Sequence, residues 1–459
     1  MDETIKKTLI DIVGQENFTD QLIDLVAYSY DASDNDHRPE AAVWPGSADQ
    51  ISRILTLANE ATFPVVPRGA GTGLAGSAVP ASGGLVIDLS RMNKVVDIRI
   101  PDRLVVVQPG VVYADLQKAL APYGFFFPPD PASGKACTIG GNVATNAGGI
   151  RGAKYGVTRD YVLGLEVVLP DGRIMRTGSY CMKSASGYDL SRLIVGSEGT
   201  LGVVTEVILK INPKPTAFKT GLAQFARLKE AGQAVTDIMH SGIIPSVLEV
   251  LDHNTIQVLR DHGGMDLPDA MAIILAETDG YTEVETAYQM DKIIEVFKKN
   301  RATHIRTADS AEATEELWAA RRSAGSVAAQ LRTNNLSEDV AVPISRVPDL
   351  LTGISDIVRK YHLPFVIFGH AGDGNLHPKV MYDGADPDQV KRAGAAVDEI
   401  FRFTCQLGGT LTGEHGIGLS KAPFMALEHD AVEMDVMGKI KKLFDPNNIL
   451  NPGKMGLAV

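Results

Sequence analysis

The sequence has few cysteines, and they are widely spaced. Cys137, Cys181 and Cys405 are the three cysteines among 459 residues, and they form no C-x-x-C pair. This spacing supports neither a disulfide framework nor an iron–sulfur cluster within the chain. Any electrons that the protein handles would therefore have to leave it for an external acceptor.

Positive charge and long apolar runs are also scarce. The 44 basic residues are outnumbered by 56 acidic ones, which gives a net charge of −12 and argues against a nucleic acid or an anionic membrane as partner. No run of 18 apolar residues occurs, and the N-terminal stretch lacks the apolar segment of a secretory signal. We expect no transmembrane segment and a cytoplasmic location.

Glycine, by contrast, is concentrated in one loop. The segment PVVPRGAGTGLAG, Pro64 to Gly76, also contains Gly69, Gly71 and Gly73. With so few side chains, consecutive backbone N–H groups can converge on an anion such as a pyrophosphate. The segment therefore predicts a phosphate site, with a bare tight turn as the alternative.

Two common nucleotide-binding motifs fit this loop poorly. Its last three glycines satisfy G-x-G-x-x-G, but Pro80 and the pair Gly83-Gly84 block the helix that a dinucleotide-binding fold requires next. No Lys-Ser or Lys-Thr follows any of its glycines, which excludes a Walker A loop. A glycine loop between two strands remains.

A second region poor in large side chains spans residues 125–164. It contains seven glycines from Gly134 to Gly156, together with small or amide residues such as Thr138, Asn142 and Asn146. Because such a segment cannot build much core of its own, we expect its backbone to lie against a large, flat ligand. A flexible loop is the alternative. The segment GSEGTLG, residues 196–202, has the same character.

Histidines cluster in two glycine turns of the second half. GHAGDGNLHPKV contains His370 and His377, and GGTLTGEHGIGLSK contains Glu414 and His415. Two histidines and one carboxylate suit Zn²⁺, Mn²⁺ or Fe²⁺ with coordination positions left open for substrate. For any single histidine, a role in the protein core is the alternative.

These motifs carry a family resemblance. PRGAGTGLAG, PPDPAS with TIGGNVATNAGG, KYGVTRDYVLGLEVVLPDG and GSEGTLGVVTEV resemble, over about residues 38–215, the FAD-binding domain of the vanillyl-alcohol oxidase or PCMH-type flavoproteins. Their order resembles the glycolate oxidase and D-lactate dehydrogenase branch. No histidine lies between Pro64 and Gly76, so the resemblance implies non-covalent FAD. The residues that it places along FAD are Pro67, Arg68, Gly69, Ala70, Gly71, Thr72, Gly73, Gly76, Pro129, Asp130, Pro131, Ser133, Thr138, Gly140, Gly141, Asn142, Thr145, Asn146, Gly149, Glu198, Gly202, Val204 and Asn451.

The fold expected from these patterns is α+β. The resemblance implies a two-lobed PCMH-type FAD-binding domain over residues 1–215. Strand and helix patterns after Pro215 predict a ferredoxin-like substrate or cap domain over residues 216–424. The C-terminal helical segment, residues 425–459, is expected to pack back on the FAD domain.

The second-half motifs resemble those of metal-dependent D-2-hydroxy acid dehydrogenases. The resemblance implies that His370, His377 and Glu414 bind the divalent metal and that His415 is the catalytic base. LWAARRSAG resembles the family's W-x-x-R element, and the resemblance implies that Arg321 binds the substrate carboxylate. Arg322 stands where Glu is common in the family, which leaves the choice between the two arginines open. An exposed helix-face charge is the alternative for either arginine.

Together these features predict FAD-dependent oxidation of a D-2-hydroxy acid to the 2-oxo acid, with D-lactate preferred over glycolate and D-2-hydroxyglutarate. The alternatives are an electron-transfer flavoprotein subunit without its own substrate and a transferase similar to alkylglycerone-phosphate synthase. The expected acceptor is an electron-transfer flavoprotein, an iron–sulfur subunit or a quinone. A homodimer, and attachment to the inner face of the membrane through a partner, are further expectations.

Overall fold

Short strands and longer helices alternate through most of the computed structural model, which describes residues 1–457 except 266, 268, 309, 329 and 331–333. The strands are β1 (Phe18–Thr19), β2 (Ala41–Val43), β3 (Val65–Arg68), β4 (Leu85–Asp88), β5 (Val95–Arg99), β6 (Leu104–Val107), β7 (Phe125–Phe126), β8 (Val162–Val168), β9 (Ile174–Gly178), β10 (Val203–Lys210), β11 (Asn212–Pro213), β12 (Ala217–Phe225), β13 (Val247–Asp252), β14 (Ala272–Gly280), β15 (His304–Thr307), β16 (Asn334–Ser337), β17 (Val340–Ala341), β18 (Phe365–His370) and β19 (Asn375–Tyr382).

The helices show amphipathic patterns with polar caps. They are α1 (Glu3–Val13), α2 (Leu22–Ala27), α3 (Ala48–Ala61), α4 (Tyr113–Leu120), α5 (Ile139–Thr145), α6 (Gly152–Tyr155), α7 (Leu190–Ile194), α8 (Leu228–His240), α9 (His253–Asp261), α10 (Glu283–Lys299), α11 (Ala311–Ala328), α12 (Val347–Lys360), α13 (Pro387–Gln406), α14 (Met425–Glu428) and α15 (Ala431–Phe444). None of the helices within the described ranges combines the length and the hydropathy that a membrane-spanning segment needs.

The described residues pack into two units. The first comprises residues 1–148, 157–214 and 414–459, and the second comprises residues 149–156 and 215–413. These are units of packing, so the predicted domain bounds after residues 215 and 424 stay predictions. The mixture of helices and sheets confirms the predicted α+β class.

Besides the two-stranded sheet β11-β7, the first unit contains two larger sheets that differ in strand direction. One has the order β1-β2-β4-β3, in which β2 and β3 both run parallel to β4; the other, β5-β6-β10-β8-β9, is antiparallel throughout. Helix α3 connects β2 to β3, and its Ser47 cap accepts a hydrogen bond from Gln50 N at 3.2 Å. Its buried stripe of Ile51, Ile54 and Leu55 packs in the core of the parallel sheet. This packing fixes the end of β3, where the first glycine loop begins.

The second unit is built on one antiparallel sheet. Its order is β15-β12-β14-β13-β18-β19-β16, with β17 also paired to β19. Helices α9 and α11 contribute Ile256, Leu317 and Trp318 to its core cluster. Strands β13, β18 and β19 lie side by side, which places Glu249 opposite His370 in the register. Because every second residue of a strand points to the same face, this register brings polar side chains of three strands together.

Residues 149–156, which include α6, pack within the second unit although they lie between segments of the first unit in the sequence. Lys154 Nζ donates to the Asp279 carboxylate and, at 3.0 Å, to the Asp279 carbonyl oxygen. Tyr155 Oη donates to the same carboxylate at 2.6 Å. This short segment is therefore held by the end of β14.

Candidate active site

The first unit contains a cavity of about 770 Å³, a volume within the range of cofactor and ligand sites. Its walls are mostly small side chains and backbone from the glycine-rich segments. Seventeen of the predicted FAD residues line it: Pro67, Arg68, Gly69, Ala70, Gly71, Thr72, Gly73, Pro131, Ser133, Thr138, Gly140, Gly141, Asn142, Thr145, Glu198, Gly202 and Val204. Glu414 and His415 also line it.

The first glycine loop needs glycine at two positions for different reasons. A Cβ at Gly69 would collide with Thr138 Oγ1, which caps α5 and accepts a hydrogen bond from Gly141 N at 3.3 Å. Gly71 has φ +67°, and a Cβ there would collide with the guanidinium of Arg68. The absence of side chains therefore lets this loop lie directly against α5 along the cavity wall.

Arg68 supports the loop from behind. Its guanidinium donates to the carbonyl oxygens of Ala27 and Ala78, each at 3.4 Å, and lies 5.6 Å from the centre of the Tyr28 ring. Burial lowers the pKa of Arg68, although Asp31 and Asp88 act in the opposite direction. This side chain therefore connects the start of the glycine loop to the end of α2 and to the segment that follows the loop.

Glu198 holds the loop that carries His415 in place through hydrogen bonds to its backbone. Its carboxylate accepts hydrogen bonds from Ile417 N at 2.7 Å, Gly418 N at 2.8 Å and Ser77 Oγ at 2.5 Å. Burial raises the pKa of Glu198, although these three donors act in the opposite direction. Asn451 Nδ2 donates to the carbonyl oxygen of Glu198 at 2.6 Å. Glu198 and Asn451 thus connect three segments of the first unit, and both hold backbone around the cavity.

The remaining predicted FAD residues do not appear among those that line this cavity. Asn146 adopts a left-handed conformation at the end of α5, and its Oδ1 accepts a hydrogen bond from Arg159 N at 2.9 Å. Asp130 accepts a hydrogen bond from Tyr113 Oη at 3.2 Å. Gly149 packs in the second unit. The full set is Gly76, Pro129, Asp130, Asn146, Gly149 and Asn451, and their roles as FAD ligands stay predictions.

In the second unit, His370 and His377 meet across the β18–β19 hairpin. Their ring centres are 5.0 Å apart, and the rings are nearly perpendicular. His370 ends β18, and His377 faces Phe368 in the register of β19. Gly374, with φ +84°, permits the tight turn between the strands. The two histidines that the sequence pairs are therefore adjacent in the fold.

A buried carboxylate lies behind each histidine. Glu249 Oε1 is 2.6 Å from His370 Nδ1, and Asp339 Oδ1 is 3.7 Å from His377 Nδ1. Asp339 is fully buried and also accepts hydrogen bonds from Asn375 Nδ2 at 2.6 Å and from Thr412 Oγ1 at 2.7 Å. Metal-binding histidines commonly donate one ring N–H to a carboxylate and present the other nitrogen to the metal. His370 has this arrangement with Glu249, whereas the distance from His377 Nδ1 to Asp339 is longer than a hydrogen bond.

Glu249 also links His370 to Arg321. Arg321 Nε donates to Glu249 Oε2, and Glu249 is 0% exposed. Burial alone would raise the pKa of Glu249, but Arg321 and His370 outweigh it and lower the pKa to about 2. The carboxylate is therefore ionised, and it fixes the orientation of an arginine and a histidine at once.

The two candidate arginines have different environments. The Arg321 side chain is 13% exposed, and its guanidinium carbon lies 5.0 Å from the centre of the Phe368 ring. Arg322 is 52% exposed and pairs with the exposed Glu315. Arg321 is thus beside the histidine pair, whereas Arg322 lies on the exposed face of α11.

Comparison with known proteins identifies the family. A model described as FAD linked oxidases, C-terminal domain, matches residues 214–455, and one described as FAD binding domain matches residues 39–178. Glycolate oxidase subunit GlcD of Bacillus subtilis (strain 168) is 46% identical over 453 residues, which cover 98% of this chain and 96% of the relative. The chain belongs to the FAD-linked oxidase family.

Other members of the FAD-linked oxidase family agree with this assignment. D-lactate dehydrogenase of Anaerostipes hadrus is 36% identical, over 91% of this chain and 90% of the relative. The solved structure of p-cresol methylhydroxylase has a TM-score of 0.84 at 20% identity, over 99% of this chain and 96% of that one. The last likeness concerns the fold alone, and it confirms the predicted fold class and family resemblance.

Three residues of this FAD-linked oxidase that the sequence analysis missed are Glu249, Asp339 and Lys379. Glu249 is the acidic residue inside the apolar stretch SVLEVLD, and Lys379 follows His377 by two residues in HPKV, so both patterns were visible. Asp339 carried no such signal, because its proximity to His377 depends on the pairing of β17 with β19.

Proposed function

We propose that this chain oxidises a small D-2-hydroxy acid to the corresponding 2-oxo acid, with D-lactate and glycolate as the first candidates. The observation that carries the proposal is Glu249, which contacts both His370 and Arg321 in the second unit. A 2-hydroxy acid offers a carboxylate and a hydroxyl on neighbouring carbons, and such a substrate needs a cation beside a site that polarises the hydroxyl. The names of the relatives, glycolate oxidase subunit and D-lactate dehydrogenase, support the same class.

The cavity of the first unit fits FAD in its size and in its lining. Its glycine loops expose backbone N–H groups, and small side chains leave room for a large planar group. FAD, when bound, supplies the acceptor for the hydride that leaves C2 of the substrate. We propose non-covalent binding, because no histidine lies in the loop from Pro64 to Gly76. The loop residues position the cofactor, and the electrons then pass to an external acceptor.

The histidine pair fits a divalent metal. Because Nδ1 of His370 is hydrogen-bonded to Glu249, the tautomer protonated at Nδ1 would present Nε2 to a metal, and we propose the same nitrogen as the ligand of His377. We propose Zn²⁺, Mn²⁺ or Fe²⁺, which when bound supplies Lewis-acid polarisation of the substrate hydroxyl. Glu414 is proposed as the third ligand on the strength of the sequence motif.

Two further roles belong to this chain's own side chains. Because Arg321 donates to Glu249 through Nε, its two terminal nitrogens remain to donate to the substrate carboxylate. His415 is proposed to accept the hydroxyl proton on a ring nitrogen, which a neutral imidazole can do near pH 7. Together Arg321 and His415 would hold the acid and accept its hydroxyl proton.

The first test is anaerobic visible spectroscopy of the FAD-loaded protein. It is mixed in turn with D-lactate, L-lactate, glycolate and D-2-hydroxyglutarate, before and after treatment with EDTA. We expect one of the acids of D configuration, or glycolate, to bleach the flavin band. EDTA should abolish this bleaching, and a divalent metal should restore it.

The same experiment separates the proposal from its alternatives. Failure of every acid to bleach a fully loaded and metal-replete flavin would contradict the dehydrogenase and leave the electron-transfer subunit or the transferase. Bleaching that survives complete metal removal would keep the oxidation and contradict the metal. L-lactate provides the matched control, since it differs from D-lactate only in the configuration at C2.

A further inference from the structure

Near the histidine pair, less positive charge is left to attract a substrate carboxylate than the sequence suggests. Arg321 donates to the fully buried carboxyl group of Glu249, so this arginine is already paired within the protein. A substrate carboxylate that met only Arg321 would approach a pair with no net charge. The geometry of this pair gives direction to a bound carboxylate but little electrostatic attraction.

Lys379 lies beside the same aromatic ring, that of Phe368, as Arg321 does. It follows His377 by two residues on β19, and its neighbours in the sheet register are Val366 and Ser337, neither of which is ionisable. Its Nζ lies 5.9 Å from the centre of the Phe368 ring, where Arg321 also lies. Within the described ranges, no carboxylate forms an ion pair with Lys379.

Both cations lie on the α11 side of that ring. Lys379 Nζ donates to the carbonyl oxygen of Gly325 at 3.4 Å, and Gly325 follows Arg321 by four residues on α11. Residues four apart on a helix are neighbours on one face, about 6 Å apart. A Cβ at Gly325 would lie 3.7 Å from both Lys379 Nζ and Phe368 Cζ, so the glycine leaves that face of the helix open to the two cations.

We propose that Lys379 binds the C1 carboxylate of the substrate together with Arg321 and supplies the positive charge of this subsite that no protein carboxylate balances. This inference rests on the proposed function. Burial of an ammonium group without a counter-ion is unfavourable, and a bound carboxylate removes that disadvantage. One carboxylate with two oxygens can accept from an arginine and a lysine at once, which also fixes its orientation.

The test compares Lys379→Met with Lys379→Arg and with Lys391→Met, which removes an exposed lysine of the same unit. For the FAD-loaded and metal-replete variants, steady-state turnover with an artificial electron acceptor that reoxidises the flavin gives kcat and KM, and calorimetry gives the Kd of pyruvate and of 2-oxoglutarate. We expect Lys379→Met to raise KM and both Kd values about ten- to hundredfold while kcat changes less than about threefold. Lys379→Arg should stay within about fivefold of the native protein, and Lys391→Met should not differ from it.

Three results would overturn this inference. A loss confined to 2-oxoglutarate would assign Lys379 to a distal carboxylate. A fall in kcat with unchanged KM and Kd would assign it to the chemical step, and an equal loss in Lys391→Met would make the effect one of overall charge. The calorimetric measurement needs no turnover. A native protein that binds the two 2-oxo acids, but whose flavin no 2-hydroxy acid bleaches, would contradict the proposed oxidation. The calorimetry would still decide the role of Lys379 in carboxylate binding.

Discussion

The cavity of the first unit and the histidine pair of the second are built in opposite ways. The cavity depends on missing side chains: Gly69 and Gly71 bring backbone against α5 and Arg68 where any Cβ would collide. The histidine pair depends on buried charge, with Glu249 between His370 and Arg321. A large planar cofactor needs space and backbone donors, whereas a metal and a small acid need charged ligands in fixed orientations. The difference predicts which substitutions each region tolerates.

The largest effect is expected from Glu249→Gln, which changes the surroundings of the histidine pair in the second unit. Loss of this charge leaves Arg321 buried without its counter-ion, and the amide keeps one acceptor oxygen where the carboxylate now serves both His370 and Arg321, so we expect activity to fall at least about a hundredfold and metal affinity about 10- to 100-fold. Metal analysis after dialysis and anaerobic flavin reduction would measure both. Flavin content should not change, because Glu249 belongs to the second unit.

Glu315→Gln is the matched control for that change. Glu315 pairs with Arg322, the next residue of α11 after Arg321, but both side chains are more than half exposed. An exposed pair contributes less than about 1 kcal/mol, so stability, metal content and activity should stay near those of the native protein. Equal losses in Glu315→Gln and Glu249→Gln would mean that burial does not distinguish the two pairs.

The corresponding change in the first region is Gly71→Ala. The new Cβ would meet the Arg68 guanidinium at a positive φ, so the loop must move away from the cavity wall. We expect FAD affinity to fall about tenfold or more, measured as the ratio of flavin to protein after gel filtration. Gly187→Ala is the control, since Gly187 has φ +81° but no atom within 4 Å of an added Cβ, and strain there should leave flavin content unchanged.

These two regions also differ in how far the sequence predicts them. The glycine loops were recognisable because their function depends on local composition, and most of the residues assigned to FAD line one cavity. The histidines and Arg321 were recognisable as motifs. Glu249 is visible as an acidic residue in an apolar stretch and Asp339 is not, but the proximity of either residue to its histidine depends on strand pairing between distant segments. Non-local register is the information that a motif does not contain.

A smaller effect is expected from Glu198→Gln, which tests whether a buried charge in the first unit acts only by holding backbone. The amide keeps one acceptor but presents an NH₂ group where the carboxylate now accepts from Ile417 N and Gly418 N. The loop with His415 should shift, and we expect kcat to fall about tenfold with flavin content unchanged. A proportional loss of FAD would instead favour the predicted role of Glu198 as a cofactor ligand.

The smallest expected effect concerns Lys454, a buried charge of the first unit that lies outside both sites. Its Nζ donates to the carbonyl oxygen of Val79 at 2.5 Å, and burial lowers the pKa of Lys454 to about 8, although Glu198 and Asp31 act in the opposite direction. Between pH 8 and the ordinary lysine pKa of 10.5, the unfolded chain holds a proton that the folded chain has released. Stability therefore rises with pH in this window, by at most about 1.4 kcal/mol per pH unit.

Denaturant unfolding of the native protein and of Lys454→Met, at pH 7, 8 and 9, should show the native protein gaining stability relative to the variant mainly between pH 8 and 9. A constant difference across all three values would mean that Lys454 keeps its proton when folded.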